Sequence, residues 1–224
     1  MSRVQFRKLD VHHESMYEKD IADEIFDLLK MVELNSDEDS QVHIYGKWIN
    51  IPRRQTAFGD DGTSYTFSGN TVPSKPWTPW LEAIRQNVAI WLVDNIPEVF
   101  DVKDAPSPLP NFVLVNQYRD GKDYIGPHSD DEKDLKGFTH YLSGEKSVDN
   151  KKITETIIVS LSFGATREFL FQNKAVSLVQ KQFSLENGDI CVMRGETQKN
   201  WKHSVPKKAK CKDMRFNLTF RFMG

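Results

Sequence analysis

Two short stretches of the sequence carry side chains that could bind one metal ion together. His128-Ser129-Asp130 ends a strand-like segment, and side chains two positions apart in an extended backbone point to the same side. An imidazole and a carboxylate would therefore face a common ion. Alone, this His-x-Asp pattern is weak, because a histidine beside an acid is also common on protein surfaces. His203 is the candidate second histidine, which would complete a set of two histidines and one carboxylate.

The C-terminal segment strengthens this interpretation, because its polar residues are spaced as one face of a strand. Apolar residues alternate there with Arg215, Asn217, Thr219 and Arg221. Such a face either lies in water, as in a half-buried strand, or lines a pocket. Two arginines suit a pocket for a small dicarboxylate, since a guanidinium donates two hydrogen bonds to a carboxylate. An earlier segment alternates in the same way and places Asn116 and Tyr118 on a common wall.

The composition excludes several classes of protein. Lys plus Arg is 30 and Asp plus Glu is 32 in 224 residues, so binding to nucleic acid by bulk charge alone is excluded. A hydrophobic content of 38% can form a core and excludes a disordered chain. The apolar runs are far shorter than the roughly 20 residues of a membrane span. With no secretory signal and two cysteines, we expect an intracellular protein with reduced thiols and no membrane contact.

Periodicity predicts which elements position these residues. Apolar spacing predicts amphipathic helices over 14–32, with Ile21 on the apolar face, and from Pro79 to about Asn95, after a Thr78 cap. We expect strands near 42–49 and 51–57, a turn at 59–62, and a long exposed loop over 133–152. Beyond the proline-rich segment 105–110, short strands typical of a sandwich or jelly roll are predicted near 111–118, 155–162, 167–172, 175–183, 189–194, 200–205 and 214–222.

Taken in order, Asn-x-Tyr, His-x-Asp, His and Arg-x5-Arg make the sequence similar to the AlkB family of Fe(II)/2-oxoglutarate dioxygenases, in particular to its eukaryotic DNA-repair branch. The resemblance runs from about Ile44 to Phe222 and rests on residues 52–55, 65–69, 116–121, 128–132, 160–165 and 215–221. It implies an α+β, mainly β fold: a double-stranded β-helix, or jelly roll, with N-terminal helices and a nucleotide-recognition lid packed on it. We expect residues 1–108 to form the extension and lid and residues 109–224 the catalytic core, as one structural unit.

The resemblance also implies a site for Fe(II), 2-oxoglutarate and O2, with ascorbate as the reductant in assays. The iron would be held by His128, Asp130 and His203. The distal carboxylate of 2-oxoglutarate would pair with Arg215, helped by Tyr118, and the metal-bound end would lie nearer Arg221 and Asn116. Asn217 and Thr219 complete the predicted cofactor-binding set.

The implied reaction hydroxylates the N-methyl group of 1-methyladenine or 3-methylcytosine in DNA and releases formaldehyde. That methyl group lies on the pairing edge, so the nucleotide must be flipped out or single-stranded. Tyr65 and Phe67 would stack on the base opposite His128, and Asp131 and Glu132 would pair with its exocyclic amine. Tyr45 would fill the vacated space in a duplex. Phosphate contacts would come from Arg53, Arg54, Lys207, Lys208 and Lys210.

Each substrate contact has a plainer structural alternative. Tyr65 could be a core aromatic residue, Asp131 and Glu132 solvated acids, Tyr45 an ordinary strand residue, and the lysines a solvated surface. The same oxygenase class also includes demethylases of single-stranded DNA or RNA and protein hydroxylases, and the last would not need a Tyr65–Phe67 base pocket. A non-catalytic nucleic-acid binder is disfavoured, since all three iron ligands and both arginines are present. We expect a monomer in the nucleus, with no replication-clamp peptide before residue 14.

Overall fold

The computed structural model describes residues 8–36, 40–44, 46–67, 70–101, 105–130, 134–141, 152–176 and 178–224. Its helices are α1 (Lys19–Lys30), α2 (Pro79–Asn95), α3 (Pro97–Phe100) and α4 (Thr197–Asn200). Its strands are β1 (Val11–Ser15), β2 (Gln41–Ile44), β3 (Lys47–Asn50), β4 (Arg54–Gly59), β5 (Ser64–Phe67), β6 (Asn70–Pro73), β7 (Phe112–Tyr118), β8 (Ile125–His128), β9 (Phe138–Tyr141), β10 (Lys152–Glu155), β11 (Ile158–Gly164), β12 (Arg167–Asn173), β13 (Val179–Leu185), β14 (Asp189–Met193), β15 (Trp201–Val205) and β16 (Arg215–Arg221).

Two antiparallel sheets form the jelly roll. The larger sheet has the strand order β1-β14-β11-β16-β7-β4, and the smaller sheet has the order β13-β12-β15-β8. Apolar side chains of both sheets form one buried cluster, in which Tyr118 and Ile158 of the larger sheet join Phe171 and Trp201 of the smaller. The two sheets therefore face each other, as the sequence predicted.

The outer face of the larger sheet is covered by helices. Phe216, Leu218 and Phe220 of β16 are buried in one cluster with Leu29 of α1 and Leu92 of α2. Because neighbouring residues of a strand take opposite faces, the alternating polar residues point between the two sheets. They are also buried, with Arg215 at 1% and Arg221 at 2% exposure. The alternative of a polar face in water is therefore excluded.

The helix predicted over residues 14–32 is wrong at its start. β1 occupies its first two residues and pairs with β14, and His13 Nε2 lies 2.7 Å from Asp189 Oδ2. This long-range pairing leaves no periodic signal in the local sequence. Ile21, predicted to lie on the apolar face, is 43% exposed. The second predicted helix is confirmed as α2, with the Leu81 N–H donating to Thr78 Oγ1 at 3.4 Å.

The loop predicted over 133–152 is wrong at both ends. β9 and β10 pair there, and Phe138 is 1% exposed and packs edge-on against Phe222, with ring centroids 4.7 Å apart. Residues 142–151 lie outside the described residues. The piece predicted as one strand over 42–49 forms two paired strands, β2 and β3. The other predicted strands are confirmed with shifted ends, and the strand-like segment that ends at His128 is β8. β6, α3 and α4 were not predicted, because elements of four residues carry too little periodic pattern.

The segment before residue 109 contributes β1 and β4, the two edge strands of the larger sheet. The division into an extension with lid and a catalytic core stays a prediction. Among the described helices, none is long and apolar enough to cross a membrane.

Candidate metal centre and cofactor pocket

The predicted metal ligands meet where the smaller sheet pairs β8 with β15. His128 lies opposite His203 in this pair, with ring centroids 4.2 Å apart, and Asp130 follows two residues after β8 ends. One ligand atom from each of the three residues lies within 4.8 Å of the others. Asp130 and His203 are buried, whereas the His128 side chain is 33% exposed. The group therefore opens to one side.

Burial and charge prepare all three groups to bind a cation. Burial lowers the pKa of His203 to about 3, although Asp130 opposes this shift. Burial also lowers the pKa of His128. The effect of burial is smaller there than at His203, because the His128 ring is partly exposed to solvent. Burial alone would raise the pKa of Asp130, but Arg221 and the two imidazoles outweigh it and hold that pKa well below its usual range. At neutral pH the set is therefore two neutral imidazoles and one carboxylate.

Hydrogen bonds orient these ligands. The Gly126 carbonyl can only accept, so its 3.0 Å contact with His128 Nδ1 places the proton on Nδ1 and leaves the Nε2 lone pair for the ion. Arg221 Nη2 donates to Asp130 Oδ1 at 3.0 Å. Asp130 Oδ2 lies 3.8 Å from His203 Nε2. Two histidines and one carboxylate that leave coordination positions open fit Fe(II).

The polar face of β16 is buried and reaches this centre through Arg221, which contacts Asp130. Arg215 pairs with Tyr118 of β7, and its guanidinium carbon lies 5.2 Å from the centre of the Tyr118 ring. Asn217 pairs with Asn116, and its amide donates to Ser160 Oγ at 2.7 Å. All six predicted cofactor-binding residues lie on this face: Asn116, Tyr118, Arg215, Asn217, Thr219 and Arg221.

Arg215 has the properties of an anion-binding residue. Its Nη2 donates to Ser162 Oγ at 2.8 Å, while Nε and Nη1 are buried without a hydrogen-bond partner among the described residues. Burial lowers the pKa of Arg215 to about 10, so the guanidinium remains charged at neutral pH. Within the described part of the chain, no carboxylate forms an ion pair with it. A buried cation with unused donors fits the distal carboxylate of 2-oxoglutarate.

Ser160 and Ser162 are site residues that sequence analysis gave no role. Both lie on β11 opposite the polar face of β16, where they accept hydrogen bonds from Asn217 and Arg215. The available signal was two serines spaced two apart within an otherwise apolar strand.

The predicted phosphate contacts lie in different surroundings. Arg53 Nε donates to Asn116 Oδ1 at 2.8 Å, which places Arg53 at the cofactor pocket. Arg54 pairs with Gln117 and takes the opposite face of the larger sheet. Lys207 Nζ lies 4.8 Å from the centre of the Tyr124 ring. Their contacts with nucleic acid stay predictions.

Lys208 and Lys210 are the other two lysines predicted to contact phosphate. Lys208 Nζ lies 3.4 Å from Glu168 Oε1 and also donates to the Thr166 carbonyl, so an ion pair competes with any phosphate contact. Lys210 is exposed.

The remaining predicted substrate contacts are described in part or not at all. Tyr65 and Phe67 lie on β5, which pairs with β6, but their side chains are outside the described part of the structure. Tyr45, Asp131 and Glu132 lie outside the described residues.

Gly121 joins the turn after β7 to the lysine-rich segment 207–212. Its N–H donates to the Cys211 carbonyl at 3.0 Å, and its carbonyl accepts from the Lys208 N–H at 2.8 Å. An added Cβ would lie 1.8 Å from the Lys208 carbonyl oxygen. We expect Gly121→Ala to lower the free energy of unfolding by about 2–3 kcal/mol and the melting temperature by roughly 5–10 °C. Thermal unfolding measures this shift.

Gly126→Ala is the matched control, since a Cβ there meets nothing within 4 Å. Equal melting temperatures for the two variants would contradict the close approach at Gly121.

Comparison with known proteins assigns the class. Residues 18–221 match the profile of the 2OG-Fe(II) oxygenase superfamily. The chain therefore belongs to the 2OG-Fe(II) oxygenase superfamily, and its cofactors are Fe(II), 2-oxoglutarate and O2.

Individual relatives narrow the assignment to the AlkB family within that superfamily. DNA oxidative demethylase ALKBH2 of Homo sapiens is 36% identical over 228 residues, covering 97% of this chain and 75% of the relative. The protein of the same name from Bos taurus is 34% identical over 227 residues, covering 98% of this chain and 70% of the relative. A solved structure titled "The structure of OsALKBH1" matches with a TM-score of 0.59 and 20% identity, covering 97% of this chain and all of that one, which shows the fold.

Proposed function

We propose that the protein repairs DNA by oxidative demethylation of N-alkylated bases such as 1-methyladenine and 3-methylcytosine. The observation that carries this proposal is the grouping of His128, Asp130 and His203, together with a buried, charged Arg215 that has unused donors on the same strand as Arg221. The names of the two relatives support DNA as the substrate.

Different residues of the chain bind the metal ion, bind 2-oxoglutarate and orient the ligands. We assign Fe(II) to His128, Asp130 and His203, and the distal carboxylate of 2-oxoglutarate to Arg215. When bound, Fe(II) with 2-oxoglutarate and O2 supplies the oxidation that hydroxylates an N-methyl group, with succinate and CO2 as co-products. Arg221 holds Asp130 Oδ1, so that the carboxylate keeps one orientation towards the histidines.

Base recognition follows from the chemistry of the lesion. The methyl group of 1-methyladenine lies on the pairing edge, so the nucleotide leaves the stack before it reaches the site. We assign Tyr65 and Phe67 to stacking on that base, and Asp131 and Glu132 to its exocyclic amine and positive charge. Once the methyl group is hydroxylated, the N–C bond breaks and its electron pair returns to the base nitrogen, while the hydroxyl group loses its proton and the carbon departs as formaldehyde. The unmodified base remains.

A panel of methylated oligonucleotides tests the substrate. The protein is incubated with Fe(II), 2-oxoglutarate and ascorbate, and mass spectrometry follows single- and double-stranded DNA and RNA. We expect demethylation of DNA. Demethylation of RNA alone would favour the RNA demethylase, and 2-oxoglutarate turnover stimulated only by a protein would favour the hydroxylase.

The hairpin β2–β3 is the proposed wedge that fills the space of the flipped base. Ile44 pairs with Lys47, and Gly46 in the connection has a φ of 77°. Tyr45 stands beside this glycine in the sequence. We expect Tyr45→Ala to lower the repair rate of duplex DNA by about tenfold, the equivalent of one lost stacking contact, and to spare single-stranded DNA.

Tyr45→Phe is the control, because it keeps the ring and should keep duplex repair. Equal losses on duplex and single-stranded substrates would argue against the wedge.

We also propose that the protein acts as a monomer on nuclear DNA. His128, Asp130, His203 and Arg215 all come from one chain, which supports a site that is complete without a second copy. Light scattering during turnover measures the mass of the active species, and fluorescence microscopy of the tagged chain measures its location.

A further inference from the structure

Asp130 lies beyond the regular part of its sheet. β8 ends at His128, and the last residues paired between β8 and β15 are His128 and His203. Among the described strand pairs, none extends to the main chain at Asp130. The Asp130 N–H donates instead to a side chain, Gln198 Oε1, at 2.9 Å. Asp130 and Gln198 are 2% and 4% exposed, so water does not compete for this bond.

Gln198 is itself held in one orientation. A backbone N–H can only donate, so the amide oxygen must face Asp130, and Nε2 then points to Met193 Sδ at 3.4 Å. The preceding residue anchors α4, since Thr197 Oγ1 accepts from the Asp10 N–H and donates to the Asp10 carbonyl, both at 3.0 Å. The acceptor oxygen is therefore held in place by contacts within the protein.

A second tie joins the same two segments. Ser129 Oγ donates to the Trp201 carbonyl at 2.9 Å. Trp201 begins β15, which carries His203 two residues later. Residues 198–201, just before His203, thus hold Ser129 through its side chain and Asp130 through its main chain.

We infer that Gln198 is a positioning residue of the metal centre. By fixing the main chain at Asp130, it sets the direction of the Asp130 side chain, whose Oδ1 is engaged by Arg221 and whose Oδ2 lies 3.8 Å from His203 Nε2. The inference rests on the proposed ligand set but not on the proposed DNA substrate. Metal affinity measured without nucleic acid therefore tests it.

Two substitutions by side chains of similar length distinguish the loss of the hydrogen-bond acceptor from the loss of packing. Gln198→Met fills the same space without an acceptor, whereas Gln198→Glu keeps an oxygen facing the Asp130 N–H. Mn²⁺ alone is titrated into the metal-free full-length protein by calorimetry. We expect Gln198→Met to weaken Mn²⁺ binding by about tenfold and Gln198→Glu to stay within about threefold of the wild type. Gln182→Met, at an exposed glutamine of β13, is the matched control and should not change the affinity.

The outcomes are distinct. Equal Mn²⁺ affinities for wild type and Gln198→Met, or equal losses for Gln198→Met and Gln198→Glu, would overturn the role of Gln198. If Gln198→Met does not fold, Ser129→Ala is the deciding variant. We expect it to weaken Mn²⁺ binding by about threefold, the value of one hydrogen bond. An unchanged Mn²⁺ affinity would contradict the inference. A wild-type protein that binds no Mn²⁺ would instead remove the ligand set itself and with it the proposed function.

Discussion

Replacing Asp130 by alanine is expected to abolish 2-oxoglutarate-dependent demethylation, with turnover falling by about a thousandfold or more, the equivalent of roughly 4 kcal/mol. Asp130 is the only anionic member of the three-residue group and lies between two imidazoles that are neutral at physiological pH. Without it, an Fe(II) ion would have no negatively charged protein ligand. Formaldehyde release from a methylated oligonucleotide measures the loss.

The alanine variant also leaves the buried Arg221 guanidinium without its 3.0 Å contact, so folding must be checked separately. Asp130→Asn is the control, because an amide oxygen can still accept from Arg221 while the negative charge is gone. We expect Asp130→Asn to unfold at a higher temperature than Asp130→Ala, because the hydrogen bond to Arg221 is kept, and yet to lose activity. Formaldehyde release at the wild-type rate by a folded Asp130→Asn protein would remove Asp130 from the metal site.

Replacing Arg215 by alanine should weaken 2-oxoglutarate binding by about 100-fold, or roughly 2.7 kcal/mol, the value of charge-assisted hydrogen bonds in a buried site. The guanidinium is 1% exposed, and two of its nitrogens have no hydrogen-bond partner among the described residues. The loss should therefore appear in the concentration of 2-oxoglutarate that is required rather than in the maximal rate. Calorimetry on the Mn²⁺-loaded protein measures the affinity directly.

A ligand without the distal carboxylate isolates this interaction. 2-Oxopentanoate has a methyl group in place of that carboxylate, so its affinity should be weak and the same for the wild type and Arg215→Ala. Arg215→Lys keeps the charge but not the planar fork and should fall between the two. If Arg215→Ala weakens both ligands equally, the residue supports the fold rather than the carboxylate.

Sequence patterns predicted the strands that carry the site, because β16 alternates strictly between polar and apolar residues and β7 is a short, mostly apolar run. The same alternation could not show that the polar face is buried. That depends on the packing of the two sheets against each other, which brings together strands from separate parts of the sequence. β1 was missed for a related reason, since its pairing with β14 joins residues that are about 180 positions apart, as in Val11 with Met193.

The candidate metal ligands were more predictable from the sequence than the residues that hold them in position. His128, Asp130 and His203 stand in recognisable spacing, and the structure brings them together. Gln198 carries no such signal, because a single glutamine is common in any sequence, and the two serines of β11 carry only their spacing in an apolar strand. Their roles depend on which atoms face them, as does the contact of Arg53 with Asn116, which no spacing predicted.

One measurement tests most directly whether the protein is an oxidative DNA demethylase. A duplex oligonucleotide with a single 1-methyladenine is incubated with the protein, Fe(II) and ascorbate, with and without 2-oxoglutarate, and its mass is determined. We predict that the strand loses the mass of one CH₂ only when 2-oxoglutarate is present, with formaldehyde and succinate formed in equal amounts, and that Asp130→Asn leaves the mass unchanged. An unchanged mass for duplex and single-stranded DNA, under conditions where 2-oxoglutarate is bound, would contradict it.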